Sequence, residues 1–190
     1  MGIAIVTTWV WLALEIGLRV RDRVRGIGST ARDGGTRATI MVLIAAANAV
    51  VAVIAFALPT DSPLWLPGPY GFWVVLGVAV MWFGLAVRVW AIAVLGKAFR
   101  TTVEVDADQA VVDSGPYRWI RHPSYIGVLL LTVGFGLAAA NWISLPIAIV
   151  VPAIALYRRI DVEEKALIET LGRPYEDYRA GTKRLVPGVW

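Results

Sequence analysis

Arg121, His122, Pro123, Ser124 and Tyr125 stand in one run, with Gly127 just after them, and about forty residues later the chain carries an adjacent acidic pair, Glu163 and Glu164. His122 is the only histidine. A histidine or a tyrosine hydroxyl can take up or pass a proton. A guanidinium can orient an anion through two parallel N–H donors. A carboxylate can accept a pair of hydroxyls or hold a cation. Polar groups of this kind are costly at the mouth of an apolar run unless something binds them.

Each group also has a plainer reading. Arg118 and Arg121 can snorkel to lipid phosphates, Pro123 can open a helix, and Gly127 can let two helices approach. Glu163 and Glu164 can form a solvated helix face, with Arg159 four residues before Glu163 as an i,i+4 partner. Two features favour a site. The residue before a proline is biased towards extended backbone, which keeps His122 out of the following helix. Pro123 also leaves the free amides of a helix N-terminus close to any carboxylate nearby.

The elements that position these groups are apolar. The chain has 190 residues, 58% hydrophobic, with a net charge of +4 and only 17% charged residues; its mean hydropathy is +0.67. That composition exceeds the apolar share of soluble domains and describes an all-α integral membrane protein of one domain, residues 1–190. About 20 apolar residues cross a bilayer. Five runs qualify as spans: Ile3 to Leu18, Thr39 to Leu58, Tyr70 to Leu95, Ser124 to Ala140 and Trp142 to Tyr157. The first three fill residues 1–95. The last two, separated by Asn141, form a tight hairpin within residues 96–190. Pro146 and Pro152 predict a kink or a late start in the fifth run. The linker around Phe99 to Val105 alternates and suggests a short extended segment or hairpin, followed by an acidic turn from Asp106 to Ser114. Arg158 to Ile168 continues the fifth run as a helix, and Gly172 stops it.

Basic residues follow the first run (Arg19 to Arg25, Arg32, Arg37), the third (Lys97, Arg100, Arg118, Arg121) and the fifth (Arg158, Arg159 and the tail). The connection from Pro59 to Pro69 has none. The positive-inside rule therefore predicts the N-terminus outside and the C-terminal helix and motifs in the cytoplasm. The net charge is explained by anionic lipid head groups, with no nucleic-acid partner expected. The first run lacks the basic leading segment of a signal peptide. There is no cysteine. With one histidine and no H-E-x-x-H, no metal site is expected, and there is no dinucleotide fingerprint or nucleophile elbow.

The order R-H-P-x-Y-x-G at residues 121–127, the downstream Glu163-Glu164 and the ending Leu171-Gly172-x-x-Tyr175-x-x-Tyr178 together resemble the isoprenylcysteine carboxyl methyltransferase family, which is related to the phospholipid N-methyltransferases. The resemblance covers roughly residues 95–190. It implies an integral-membrane enzyme of the cytoplasmic membrane that uses S-adenosyl-L-methionine, releases S-adenosyl-L-homocysteine and methylates a lipophilic acceptor, a carboxylate of the isoprenylcysteine type. It further implies that Tyr117, His122, Pro123, Tyr125, Gly127, Glu163 and Glu164 form the cofactor site, and that Arg121 and Arg159 orient the acceptor. A phospholipid amine or small thiol is the alternative acceptor; a lipid-binding or carrier protein is the non-enzymatic alternative. Arg88, inside the third run, is open to an inward-facing role. Asn48, inside the second, predicts a helix–helix hydrogen bond.

Overall fold

The computed structural model describes residues 1–26, 35–103, 105 and 109–186. Arg32, Glu104 and residues 106–108 of the acidic turn lie outside the described residues. Among the described residues six α-helices follow one another: α1 (Gly2–Val24), α2 (Thr36–Ala57), α3 (Tyr70–Leu95), α4 (Pro123–Ala138), α5 (Ser144–Leu171) and α6 (Arg173–Gly181). Single 3-10 turns lie at Gly96–Ala98 and Gly115–Arg118.

Three helices, Gly2–Val24, Thr36–Ala57 and Tyr70–Ala98, are long and apolar enough to cross a membrane. The fourth, Pro123–Ala138, is apolar but shorter; its 16 residues rise about 24 Å. Helix α5 starts at Ser144, two residues later than the apolar run suggests, and absorbs Pro152 in its interior. It then runs without a break to Leu171 and so joins the fifth apolar run to the acidic pair. Gly172, at φ +60°, ends it, and Pro174 sits in the first turn of α6.

Helices α3 and α4 pack backbone to backbone. A Cβ placed on Gly77 would stand 2.4 Å from the Gly134 carbonyl oxygen, and one on Gly84 2.7 Å from that of Gly127. Small residues permit this approach where lipid offers no hydrophobic drive. Helix α2 lies along α5, and α1 leans on α3 and α4. The shared core holds Trp11, Ile44, Val51, Met81, Leu131 and Phe135.

The turn between α4 and α5 is built by Asn141, which is fully buried. Its Nδ2 donates to the Ala139 carbonyl at 3.0 Å, and its Oδ1 accepts the Ser144 amide at 2.8 Å. The connection between α2 and α3 is tied to this turn: the Leu66 amide donates to the Ala140 carbonyl and the Trp142 amide to that of Leu64. The two connections without basic residues therefore share one end of the bundle, and the motif residues lie at the other.

Two expectations fail. The linker forms no strand among the described residues. Its polar backbone is taken up by side chains of α1 instead: the Thr101 amide donates to Asp22 Oδ2 at 2.8 Å, and Arg21 donates to the Phe99 carbonyl at 2.9 Å. The helix–helix hydrogen bond expected of Asn48 is not made by its Oδ1, which is buried with no partner among the described residues.

Candidate functional site

Pro123 occupies the first turn of α4 and His122 caps it with φ −125° and ψ 55°. The amides of Tyr125 and Ile126 turn back to the His122 carbonyl, so they do not reach the acidic pair. Side chains make that connection. Tyr125 donates its hydroxyl to Glu163 Oε2 at 2.5 Å. His122 Nε2 lies 3.2 Å from Glu164 Oε1, and Arg121 Nε donates to the same oxygen at 2.8 Å. The rings of His122 and Tyr125 stack with centroids 5.5 Å apart.

Glu163 and Glu164 divide their work. Neighbours on a helix point about 100° apart. Glu163 lines a cavity at the motif end of the bundle; Glu164, 2% exposed, turns behind its wall. There it gathers Arg121, His122 and Arg184, whose Nε reaches Glu164 Oε2 at 3.0 Å. Burial by itself would raise the Glu164 pKa. The hydrogen bonds from His122 and Arg121 reverse that and, with Arg184, hold it at about 2. Glu164 thus remains a carboxylate that fixes three cationic or basic groups.

The chain after α6 completes this anchor. The Arg121 amide donates to the Lys183 carbonyl at 2.8 Å and the His122 amide to that of Arg184 at 3.0 Å. Arg121 NH1 returns to the carbonyls of Thr182 and Arg179. A bridge this short leaves no periodic pattern, so no signal in the sequence marks it. Tyr178 donates to the Tyr117 carbonyl at 2.7 Å, and its own pKa is pushed up to about 12, chiefly by burial. Burial also holds Tyr117 and Tyr175 well above the usual phenol range.

The cavity brings most of the sequence-predicted residues together. Tyr117, Arg121, His122, Tyr125, Arg159 and Glu163 all line it. Pro123, Gly127 and Glu164 do not. Pro123 is buried at the start of α4, and Gly127 serves the contact with α3, where a Cβ would meet the Arg88 backbone nitrogen at 2.9 Å. Arg159, 4% exposed, directs Nε to the Tyr125 hydroxyl at 3.3 Å and NH1 to Thr36 Oγ1 at 2.7 Å. Apolar side chains share the wall: Trp11, Ile40, Met41, Ile44, Val128 and Leu156 line the same cavity.

The role that the sequence left open for Arg88 is decided, and two further features escaped the sequence. Arg88 faces inward and donates to Ser124 Oγ at 2.7 Å and to Glu15 Oε1 at 2.5 Å. Glu15 had no visible partner because Arg88 lies 73 residues away. Thr102 and Tyr175, both in the cavity wall, carry buried hydroxyls with no hydrogen-bond partner among the described residues; the tyrosine spacing of the tail was the available hint. Among the described residues no cluster of histidine and carboxylate suits a metal ion.

Known proteins resemble this chain. Over 107 residues the chain is 36% identical to the protein-S-isoprenylcysteine O-methyltransferase of Saccharomyces cerevisiae, covering 55% of this chain and 45% of that one. It is 27% identical to protein-S-isoprenylcysteine O-methyltransferase B of Arabidopsis thaliana over 165 residues, 82% of each. The chain thus spans less than half the length of the yeast relative. The solved structure of the eukaryotic intramembrane Ras methyltransferase ICMT superposes with a TM-score of 0.63 at 24% identity, over 78% of this chain and 52% of that one, which establishes a shared fold. The model of the isoprenylcysteine carboxyl methyltransferase family matches residues 75–169, half of the chain, from within α3 to the last turns of α5. That stretch holds the whole R-H-P-x-Y-x-G run, both glutamates and the glycine contacts of α4, and by it the chain belongs to the isoprenylcysteine carboxyl methyltransferase family.

Proposed function

We propose that this chain is an S-adenosylmethionine-dependent methyltransferase whose acceptor is a lipophilic carboxylate of the isoprenylcysteine type. One observation carries the proposal: both motifs line a single cavity whose wall combines charged and hydroxyl side chains with a set of apolar ones. A polar cofactor and a lipid-tailed acceptor need both kinds of lining in one place.

The residues present suit the cofactor. Glu163 supplies a wall carboxylate, Tyr117 and Tyr125 supply aromatic faces for a sulfonium, and the unpartnered hydroxyls of Thr102 and Tyr175 lie in residues of the same wall. S-adenosylmethionine, when bound, supplies an electrophilic methyl group. Tyr117, His122, Tyr125 and Glu163 would hold the cofactor from the cavity wall. Pro123, Gly127 and Glu164 fix where those groups stand, from behind the wall. Arg159, held by Tyr125 and Thr36, presents its guanidinium to an acceptor carboxylate, with Arg121 as the second cation on the wall. An acceptor carboxylate is already ionised, so no proton need leave it. The protein's part is to align the two partners and exclude water.

The bilayer placement follows from charge. We assign five crossings, with α4 and the apolar part of α5 as the last two, the N-terminus outside and the motif end in the cytoplasm of a bacterial-type inner membrane. S-adenosylmethionine then enters from the cytoplasm and the acceptor from the lipid.

Purified protein, methyl-labelled S-adenosylmethionine and a panel of prenylcysteines, phosphatidylethanolamine and small thiols test the function. Label in a base-labile ester of a prenylcysteine is the expected result. Label on the amine or thiol alone would replace the acceptor class. Absence of S-adenosylhomocysteine binding would remove the enzyme function altogether.

A further inference from the structure

Glu15 is the one acidic residue among the apolar residues 3–18, and it lies outside the stretch matched by the family model. It is 6% exposed and lines the cavity together with Arg88. Its Oε1 accepts Trp11 Nε1 at 2.9 Å and Arg88 Nε at 2.5 Å. Arg88 NH1 is spent on the Ser124 hydroxyl and carbonyl. The side chains of this pair are 8% and 7% exposed, so neither charge is well solvated.

A buried ion pair of this kind is poor evidence for stability, because desolvation offsets much of the attraction. Its position gives it another consequence. Without Glu15, the buried Arg88 would be an uncompensated cation in the cavity wall, and any carboxylate entering the cavity would be drawn to it. With Glu15 in place, that guanidinium already has a carboxylate on its Nε edge, and the negative charge of Glu15 repels a second one.

We propose that Glu15 is a specificity-determining residue: an internal carboxylate that occupies Arg88 and sets how strongly the cavity prefers an anionic acceptor head over an uncharged one. This inference rests on the carboxylate-acceptor function proposed above. Its role is on the acceptor; the S-adenosylhomocysteine affinity is independent of it.

The test compares wild type with Glu15→Gln, which keeps the shape and the hydrogen-bonding oxygen but removes the charge. The probes are a farnesylated cysteine carboxylate and its carboxamide, with binding read by competition and by the shift in melting temperature in detergent. The ratio of carboxamide to carboxylate Kd should rise about tenfold or more in the variant, because a poorly solvated guanidinium has lost its internal anion. The carboxylate should also raise the melting temperature of the variant by more than it raises that of wild type, while the carboxamide acts equally on both. An unchanged ratio, in a variant that still binds S-adenosylhomocysteine, overturns the inference and leaves the proposed function standing. A wild-type protein that methylates no carboxylate overturns both. Should Glu15→Gln not fold, the paired Glu15→Gln/Arg88→Gln protein, which leaves no charge behind, replaces it. Because it removes one cation and one anion together, its ratio should match that of wild type, and a change of about tenfold in either direction there overturns the inference.

Discussion

The Tyr125 hydroxyl lies 2.5 Å from Glu163 Oε2, and this bond joins the first turn of α4 to the far reach of α5, 38 residues on. It makes the two motifs one site. Tyr125 also meets Arg159 Nε at 3.3 Å, so a single hydroxyl stands between an acidic and a basic side chain of the cavity wall.

Glu163→Ala should therefore weaken S-adenosylhomocysteine binding by about 1–3 kcal/mol, the cost of leaving polar partners unpaired. Tyr125→Phe should lose a smaller part of the same affinity, since it removes the hydroxyl and keeps the ring. Calorimetry on the folded variants measures both. Full affinity in Glu163→Ala would make Glu163 a solvated helix residue with no ligand.

The motif run was legible because its chemistry is contiguous: Arg121 to Gly127 carries its own helix start, and Pro123 announces it. The all-helical bundle was legible from the apolar runs, and the glycines of α4 from their place inside one. What was not legible is instructive. Glu163 and Glu164 are identical in type and adjacent, and only the phase of α5 decides that one faces the cavity and the other anchors Arg121, His122 and Arg184. The pair Glu15–Arg88 joins two helices with no local pattern between them. The tail carbonyls of Lys183 and Arg184 reach the motif through two amide bonds, too short a ladder to impose an alternation on the sequence. The linker reads as extended because its residues alternate, yet α1 side chains took its backbone partners.

Glu164 predicts a pH dependence of stability. Its folded pKa of about 2 lies below the ordinary value of 4.5. A depressed carboxylate contributes stability that is fully present above the ordinary value and is lost as pH falls through the folded one. Glu164→Gln should be destabilised by about 3 kcal/mol at neutral pH, since a buried charge cluster loses one partner. The gap between wild type and variant should then narrow as pH falls from 4.5 towards 2. Melting temperatures in detergent across that window measure it, and a gap constant down to pH 2 would contradict the assigned role.

The contact of α3 with α4 predicts a steep response to one methyl group. A Cβ on Gly134 would stand 2.5 Å from the Gly77 carbonyl oxygen and 2.8 Å from the Met81 amide nitrogen, and backbone atoms do not yield as a side-chain tip does. Gly134→Ala should lose about 1–3 kcal/mol by overpacking. Gly71→Ala, with nothing within 4 Å, should match wild type or exceed it. Equal melting temperatures for the two variants would show that the helices can separate without loss.

Orientation can be read independently of any ligand. A reporter fused at the C-terminus should register as cytoplasmic, and one placed in the loop at Asp61 as external, following the basic residues. The structure ties the Asp61 connection to the Asn141 turn at the end opposite the motif, since the Leu66 amide donates to the Ala140 carbonyl and the Trp142 amide to that of Leu64. Two reporters on the same side would therefore contradict the crossing of α3, and a reversed pair would turn the cavity away from cellular S-adenosylmethionine.

Arg121 and Arg159 are both arginines of the cavity wall, and substitution by lysine should separate their roles. Arg121 uses Nε on Glu164 at 2.8 Å and NH1 on the carbonyls of Arg179 and Thr182. A lysine has one ammonium and cannot span those partners. Arg121→Lys should thus loosen the tail, lower the melting temperature and weaken S-adenosylhomocysteine binding along with turnover. Arg159 stands on α5, and it holds the Tyr125 hydroxyl, Thr36 Oγ1 and the Thr101 carbonyl, which lie outside the tail. Arg159→Lys should keep cofactor affinity yet lose kcat with a carboxylate acceptor by an order of magnitude or more, because a point charge orients a carboxylate less well than a two-donor fork. The two variants should diverge in a single experiment that measures kcat, KM and S-adenosylhomocysteine affinity together. Near-wild-type turnover in Arg159→Lys would take Arg159 off the acceptor and shift weight to an amine or thiol, whose proton His122 or Tyr125 would then have to receive.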